Sequence, residues 1–258
     1  MIRNYILIVG AMKSGTTTLF DILSQHPQIS PCRHKEPGFF AFEDRWAEGF
    51  EWYESLYDFD KNKHIYAMDC STDYTKYPFC DHVIDRLKES FPCEFKIIYI
   101  IRDLIDRIQS HARHVQLTKK EIGQMLSPRM DHSFDCGISP VSIEISKYYQ
   151  QILRYYTYFN KESIHILKFE DLISNQEFEV NKILNFLDLK SIKIEYMSSN
   201  SFDKKYYNTD TVQFIRDIKF VKRISSIFPK RVKSYILRKF KEKSTLMGDF
   251  ISMQPKKN

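Results

Sequence analysis

One short segment near the N-terminus combines the residue types that bind a phosphate or a similar anion. The sequence GAMKSGTTT, residues 10–18, follows a short apolar run and leads into a helical pattern. The backbone N–H groups and the dipole at the start of such a helix favour an anion, and serine and threonine hydroxyls add donors. A glycine-containing turn with a capping hydroxyl is the structural alternative. We predict a phosphate loop here, with contacts from Lys13, Ser14, Gly15, Thr16, Thr17 and Thr18.

The order of residues in this phosphate loop (residues 10–18) differs from that of nucleoside-triphosphatases. Their loop reads G-x-x-x-x-G-K-[ST], with the lysine after the second glycine and a hydroxyl that holds magnesium. Here Lys13 precedes Gly15, and no predicted strand ends in a carboxylate that plainly serves as a magnesium partner. Asp69 is the nearest candidate. The order weakens, but leaves open, an ATP–Mg-dependent kinase or phosphotransferase.

Two motifs together resemble the sulfotransferases that use 3′-phosphoadenosine 5′-phosphosulfate (PAPS). The sequence GAMKSGTTTL is similar to the 5′-phosphosulfate loop of that family. The sequence IIYIIRDLIDRIQSHARH, residues 97–114, resembles its 3′-phosphate-binding segment, in which an arginine closes a strand and a serine lies eight residues on. Here these residues are Arg102 and Ser110, and a guanidinium and a hydroxyl can bind one phosphate together. A structural salt bridge is the alternative for Arg102.

Two further segments extend the resemblance over residues 5 to about 190. The sequence RHKEPGFF, residues 33–40, resembles the Lys-Glu-Pro-x-Phe-Phe segment of the carbohydrate-modifying branch, as in heparan sulfate and bacterial sulfotransferases. The sequence ILKFEDLISN, residues 166–175, is similar to a strand-plus-Glu-Asp-Leu element late in the fold. The resemblance implies a P-loop-NTPase-like sulfotransferase fold. It also implies transfer of a sulfuryl group from PAPS to a hydroxyl or amine, with 3′-phosphoadenosine 5′-phosphate (PAP) as product.

The same resemblance assigns catalytic roles. In an in-line displacement at sulfur the acceptor loses a proton and the leaving phosphate gains charge. Lys13 is expected to contact the bridging oxygen or the sulfuryl group, Glu36 to act as base, and Lys35 to balance the sulfuryl charge. Asp69 is a second candidate for the base or for substrate binding. Further candidates are histidines, the usual bases at neutral pH: His34, His111 and His114. No metal is expected, because Lys13 and Arg102 supply positive charge.

The acceptor side of the reaction is less defined. The Lys-Glu-Pro resemblance favours a glycan, and a small-molecule acceptor stays open. The family also has a basic, glycine-containing loop that closes over the 3′-phosphate and adenine. This chain departs from that pattern, because the segment after Leu189, residues 190–210, contains no glycine. Lys204 and Lys205, together with Asn200, are the residues we expect to take that role.

The elements that must position these residues alternate between strands and helices. Such alternation is typical of a three-layer α/β fold with a central parallel sheet. Short apolar strands without polar alternation indicate a sheet covered on both faces. Residues 26–64 are expected to be irregular with a short helix, and 118–138 to form a loop or lid. Strands are predicted at 5–9, 64–68, 95–101 and 164–169, and helices at 16–25, 77–90, 103–117, 140–159 and 175–187.

Length and composition favour one globular domain over residues 1–258. The chain has only 7 Gly and 9 Pro, which argues against a disordered or fibrous protein. The first residues lack a signal-peptide core, and no segment reaches the roughly 20 apolar residues of a membrane span. The five cysteines are widely spaced and never form C-x-x-C, so reduced thiols are expected. We therefore expect a cytoplasmic protein.

The positive charge is concentrated near the C-terminus. The net charge is +6, yet residues 219–258 alone carry 12 Lys/Arg and 2 Asp/Glu. Residues 218–243 combine apolar residues at helical spacing with basic residues between them, and we predict a basic helical tail. It could pack on the domain, contact an anionic membrane surface, attract an acidic substrate or mediate self-association. A non-catalytic, membrane-peripheral nucleotide-binding module is a further alternative. Nucleic-acid binding is not expected, because the rest of the chain is net acidic.

Overall fold

The computed structural model describes residues 1–112, 140–193 and 195. All of these residues belong to one compact unit, Met1–Ser199. The predicted domain over residues 1–258 and the basic tail at 218–243 extend beyond the described residues and stay predictions. Among the described residues, no helix has both the length and the apolar character needed to cross a bilayer.

The described residues form a parallel sheet of five strands in the order β2-β3-β1-β4-β5. Four of the strands were predicted, and the sequence reasoning missed β2. This strand has three residues and ends in proline, so it lacks the apolar run that marks the others. The sequence pattern therefore predicts an irregular region here. The strands are β1 Asn4–Gly10, β2 Ile29–Pro31, β3 Tyr66–Asp69, β4 Glu94–Ile101 and β5 Ile164–Lys168.

Nine helices lie among the described residues. They are α1 Thr16–Leu23, α2 Glu43–Ala47, α3 Gly49–Ser55, α4 Val83–Glu89, α5 104–112, α6 Pro140–Glu144, α7 Tyr148–Tyr156, α8 Phe169–Ser174 and α9 Gln176–Phe186. Two short 3₁₀ turns, Thr72–Thr75 and Lys161–Ser163, complete the regular structure of this part of the chain. Helix α5 is described to residue 112, so the predicted loop or lid at 118–138 lies outside the described residues.

Two helix predictions were too long. The helix predicted over 77–90 begins only at Val83, and the first residue of the predicted range is held elsewhere, since the backbone N–H and carbonyl of Tyr77 both bond to the Gln151 side chain, at 2.9 and 2.8 Å. The helix predicted over 140–159 is two helices. Between them the amides of Ser146 and Lys147 bond three residues back, and the ψ of Lys147 is 63°, which ends the helical path.

The sheet is covered on both faces, as predicted. Alternate residues of β1 point to opposite cores, since side chains along a strand alternate. Tyr5 and Leu7 pack with side chains of α3, α4 and α7. Ile6 and Ile8 pack with side chains of α1 and α9. The predicted three-layer α/β fold with a central parallel sheet is therefore confirmed.

The strand order locates the functional edge of the sheet. The chain leaves β1 toward β2 on one side, whereas it leaves β4 toward β5 on the other. A crevice at the carboxyl ends of the strands, where the connections diverge in this way, is the usual ligand site of an open α/β sheet. The phosphate loop follows β1 and Arg102 follows β4, so both lie at this crevice.

Candidate functional site

The phosphate loop turns sharply between β1 and α1. The amide of Ala11 donates to the carbonyl of Ile100 on β4 at 2.7 Å, and the amide of Ser14 donates back to Ala11 at 3.1 Å. Lys13 and Gly15 both have positive φ, at 70° and 85°. Lys13 is half-buried, and Thr17 at the start of α1 is exposed. The turn thus presents the start of α1 toward the crevice, an arrangement that suits an anion.

Gly15 lies against an aromatic ring from the residue that follows the edge strand β5. A Cβ atom at this position would approach the ring of Phe169, the first residue of α8, to 2.6 Å. The close approach requires a residue without a side chain, and the positive φ also favours glycine. The sequence reasoning did not single out Phe169, because nothing in its local sequence shows that it contacts the loop.

We expect Gly15→Ala to lower the free energy of unfolding by about 2–4 kcal/mol, from the left-handed conformation and from overpacking against Phe169. Gly49 is a matched control, because its φ is 81° and no atom lies within 4 Å of a Cβ placed there. Gly49→Ala should therefore cost only the conformational part, about 1–2 kcal/mol. Urea denaturation measures both values. Equal losses in the two variants would contradict the proposed contact with Phe169.

Arg102 joins the end of β4 to the phosphate loop. Its Nη1 donates to the carbonyl of Lys13 at 3.1 Å, and its guanidinium carbon lies 4.5 Å from the centre of the Phe169 ring. This distance is within the range of a cation–π interaction. The next residues are fixed as well, since the amide of Asp103 donates to Glu170 Oε1 at 2.9 Å. Arg102 therefore holds the phosphate loop and α8 together at the crevice.

Helix α5 carries the second predicted phosphate contact. The Asp103 carboxylate caps its start by accepting from the amides of Ile105 and Asp106, each at 3.1 Å. Ser110 lies half-buried in this helix, two turns beyond Arg102. Because this cap fixes the start of α5 directly after Arg102, it also fixes the position of Ser110 relative to Arg102.

Buried polar atoms at the crevice show whether the residues fit an anionic ligand. The Ser14 hydroxyl and the Arg102 Nε are buried, and neither has a hydrogen-bond partner among the described residues. The Tyr148 hydroxyl neighbours that of Ser14, but neither completes a hydrogen bond of normal geometry with a described residue. Buried donors without partners cost free energy. Their presence beside Lys13 fits a site for a phosphate-bearing ligand.

The Lys-Glu-Pro segment (residues 33–40) lies beside the start of α1. Cys70 connects the two, because its amide donates to the Lys35 carbonyl at 3.2 Å and its Sγ lies 3.6 Å from the Thr16 carbonyl. Lys35 Nζ contacts Glu36 Oε1 at 2.6 Å, and the Thr72 hydroxyl donates to Glu36 Oε2 at 3.2 Å. The Glu36 side chain remains 41% exposed, so its carboxylate is accessible from solvent.

Lys35 keeps a positive charge at this position. Burial acts to lower the pKa of Lys35, whereas its ion pair with the Glu36 carboxylate raises it. Cys70 itself is fully buried, and burial raises the pKa of its thiol to about 12. The thiol is therefore neutral at physiological pH. Lys35 and Glu36 form the charged pair of the segment.

Asp69 does not face solvent. Its carboxylate is 0% exposed and accepts hydrogen bonds from the hydroxyls of Ser71, Tyr74 and Tyr53, at 2.7, 2.6 and 2.9 Å. Burial raises the pKa of Asp69 to about 6, although the three hydroxyls act to lower it. This position argues against direct contact of Asp69 with an acceptor, which both of its expected roles, base and substrate binding, would require.

The raised pKa of Asp69 predicts a pH-dependent stability. Between the unfolded pKa near 4 and the folded pKa near 6, the folded state binds the extra proton, so stability falls as pH rises through this window. We expect the wild type to lose about 2 kcal/mol relative to Asp69→Asn between pH 4 and pH 7. Urea denaturation of both proteins across this range measures the difference. A constant difference would show that the pKa of Asp69 is not raised.

The remaining predicted residues lie apart from this group or outside the described residues. His34 is exposed. His111 is buried, and its Nδ1 lies 2.9 Å from the Ser142 hydroxyl. His114, Asn200, Lys204 and Lys205 lie outside the described residues, so their roles stay predictions. Within residues 1–112 and 140–193, no group of three or more His, Cys, Asp or Glu side chains could hold a metal ion.

Comparison with protein families gives a match over most of the chain. The family model described as "Sulfotransferase domain" matches residues 3–242. Among curated proteins, heparan sulfate glucosamine 3-O-sulfotransferase 6 from Homo sapiens is 29% identical over 192 residues, covering 72% of this chain and 52% of that protein. Carbohydrate sulfotransferase 15 from Mus musculus is 24% identical over 245 residues, covering 70% and 43%. The chain thus spans about half the length of these curated relatives.

A solved structure supports the fold independently. The crystal structure of a sulfotransferase from Alicyclobacillus acidocaldarius superposes with a TM-score of 0.63 at 21% identity, covering 88% of this chain and 93% of that one. The P-loop-like sulfotransferase fold expected from the motifs is therefore confirmed. The family expected from those motifs is confirmed by the family model. From the match over residues 3–242, the chain belongs to the sulfotransferase domain family of enzymes.

Proposed function

We propose that this protein transfers the sulfuryl group of PAPS to a hydroxyl or amine of an acceptor. The observation that carries the proposal is the contact between Arg102 and the carbonyl of Lys13, at 3.1 Å. It joins the two cation-bearing segments of the crevice, although 89 residues separate them in the sequence. Two cations held together in this way suit a nucleotide with phosphates at both its 3′ and 5′ positions.

The phosphate loop and Arg102 would hold the donor. Lys13, the start of α1 and the hydroxyls of the loop would bind its 5′-phosphosulfate, while Arg102 and Ser110 would bind its 3′-phosphate. When bound, PAPS supplies a sulfuryl group on a phosphate leaving group. The buried Ser14 hydroxyl and Arg102 Nε, which lack partners among the described residues, are donors available to such a ligand.

The Lys-Glu-Pro segment would supply the base. Glu36 would accept the proton of the attacking hydroxyl or amine, since its carboxylate is accessible from solvent. Thr72 and Lys35 each hold one oxygen of that carboxylate, at 3.2 and 2.6 Å, and so orient it. Lys35 and Lys13 would offset the negative charge of the sulfuryl group as the acceptor approaches.

We propose a glycan as the acceptor class, with a small molecule as the alternative. The two curated relatives described above are named for heparan sulfate glucosamine and for carbohydrate. The similarity of residues 33–40 to the carbohydrate-modifying branch supports the same class. The proposal has three further parts. The protein is cytoplasmic, the reaction needs no metal, and residues 218–243 contact a membrane surface.

Donor binding and turnover test the proposal. We expect saturable binding of PAP by isothermal titration calorimetry in the presence of EDTA, and transfer of label from ³⁵S-PAPS to a member of an acceptor panel. The panel contains sugars and oligosaccharides, lipids, and small alcohols and amines. Binding of ATP–Mg without binding of PAP would overturn the proposal in favour of a phosphotransferase.

A further inference from the structure

The buried carboxylate of Asp69 is linked to the segment that carries Glu36. We propose that Asp69 is a positioning residue, which holds the Lys-Glu-Pro segment in place through two hydroxyl groups. The inference rests on the proposed function, because that function gives Glu36 its use as a base. It assigns Asp69 a role through other residues, in place of direct contact with the acceptor.

The first connection runs through Ser71. The amide of Gly38 donates to the Ser71 hydroxyl at 3.0 Å, and that hydroxyl donates to Asp69 Oδ1 at 2.7 Å. Both Ser71 and Asp69 are 0% exposed. Hydrogen bonds to a charged acceptor are stronger than neutral ones, and a dry environment strengthens them further. The amide that lies two residues after Glu36 is therefore held by the Asp69 charge.

The second connection runs through Tyr74. Its hydroxyl donates to Asp69 Oδ2 at 2.6 Å, and the amide of Phe40 points to the same hydroxyl at 3.5 Å. Tyr53 donates to the same carboxylate oxygen at 2.9 Å, and its ring stacks on Phe39 with 4.5 Å between the centroids. The Phe-Phe end of the segment is thus held on both its backbone and one of its side chains.

The same stretch of chain also reaches Glu36 directly. Ser71 and Tyr74 belong to the residues around the 3₁₀ turn Thr72–Thr75, and Thr72 between them donates to Glu36 Oε2. Asp69 fixes the residues on either side of Thr72, so it also fixes the position from which Thr72 orients the Glu36 carboxylate. The buried charge of Asp69 therefore holds the backbone of the Lys-Glu-Pro segment and, through Thr72, sets the orientation of the Glu36 carboxylate.

Turnover of four proteins tests the role: the wild type, Asp69→Asn, Glu36→Gln and the double variant. We expect Asp69→Asn to lower kcat about 10- to 100-fold, because a small misplacement of a reacting group has effects of this size. The dissociation constant of PAP should stay within about 2-fold. In the Glu36→Gln background, Asp69→Asn should have no further effect on kcat. Equal losses in both backgrounds would overturn the inference, because a merely structural residue acts independently of Glu36.

Hydrogen exchange tests the connections without any activity measurement. Ser71→Ala and Asp69→Asn should each speed exchange of the Gly38 amide by about 10-fold, as expected from loss of one hydrogen bond. Tyr66→Phe is the matched control. Its hydroxyl bonds to the Leu187 carbonyl at 3.2 Å, and its ring packs in the core on the other face of the sheet. It should leave exchange at Gly38 unchanged.

Unchanged exchange at Gly38 in both Ser71→Ala and Asp69→Asn would overturn the connections, whatever the activity. Absence of transfer by the wild type would instead overturn the proposed function, while the exchange result would still decide the connections. Tyr74→Phe gives an independent variant with an intact Asp69, and it should speed exchange of the Phe40 amide.

Discussion

Lys13→Ala should lower the rate of sulfuryl transfer roughly 1,000-fold or more, the effect expected when a charged group that stabilises a transition state is lost. Lys13 is the only lysine in the phosphate loop, and two contacts that shape the loop are made by backbone groups. The amide of Ala11 bonds to β4, and Arg102 binds the carbonyl of Lys13 and not its ammonium. These backbone contacts remain possible in the variant, so we expect the loop to keep its shape.

Steady-state turnover with labelled PAPS measures this effect, and titration with PAP shows how much of it arises in donor binding. Lys96→Ala is a suitable control. Lys96 lies on β4, and its ammonium contacts the Phe186 ring at 4.9 Å, away from the carboxyl end of the strand. Its loss should change turnover less than about 2-fold. Turnover of Lys13→Ala equal to that of the wild type would refute the role of Lys13.

Glu36→Gln should lower kcat about 100- to 10,000-fold, the range expected for loss of a general base. The amide keeps an oxygen that can accept from Thr72, but it cannot take a proton from the acceptor. The phosphate loop and Arg102 are unaltered, so the dissociation constant of PAP should stay within about 2-fold. A large loss of PAP affinity with unchanged kcat would contradict the assignment of Glu36 as base.

Glu43→Gln is a control for removing a glutamate that pairs with a basic side chain. Glu43 contacts Arg86 and is 82% exposed, in helix α2. Its substitution should change kcat less than about 2-fold. A comparable loss in both variants would indicate that the two substitutions act through stability, and unfolding measured by circular dichroism would show this.

Much of the fold could be predicted from local sequence. The apolar runs of β1 and β4 are continuous because both faces of the sheet are covered, so their patterns are strong. The phosphate loop and Arg102 follow directly from these strands. Strand β2 could not be predicted, because its three residues are defined by pairing with β3 and not by their own pattern.

The contacts within the site were harder to predict for a similar reason. Phe169, which follows β5, lies close to Gly15 and Arg102. These contacts depend on the pairing of β5 with β4. The sequence places Asp69 at the end of a strand, where it is expected to bind substrate or to act as the base. Three hydroxyls close over it, two from the residues that follow and one from α3. Neither arrangement has a signature in the local sequence.

The central place of β1 has a consequence for the newly made chain. The phosphate loop leaves the ribosome before the strands on either side of β1, since β3 and β4 end near residues 69 and 101. Its contact with Arg102 needs a residue made 89 positions later. Chain synthesis proceeds at about 5–20 residues per second, so several seconds pass before that contact can form. Because parallel pairing between distant segments is slow, the proposed nucleotide site can form only after the sheet around the phosphate loop is complete.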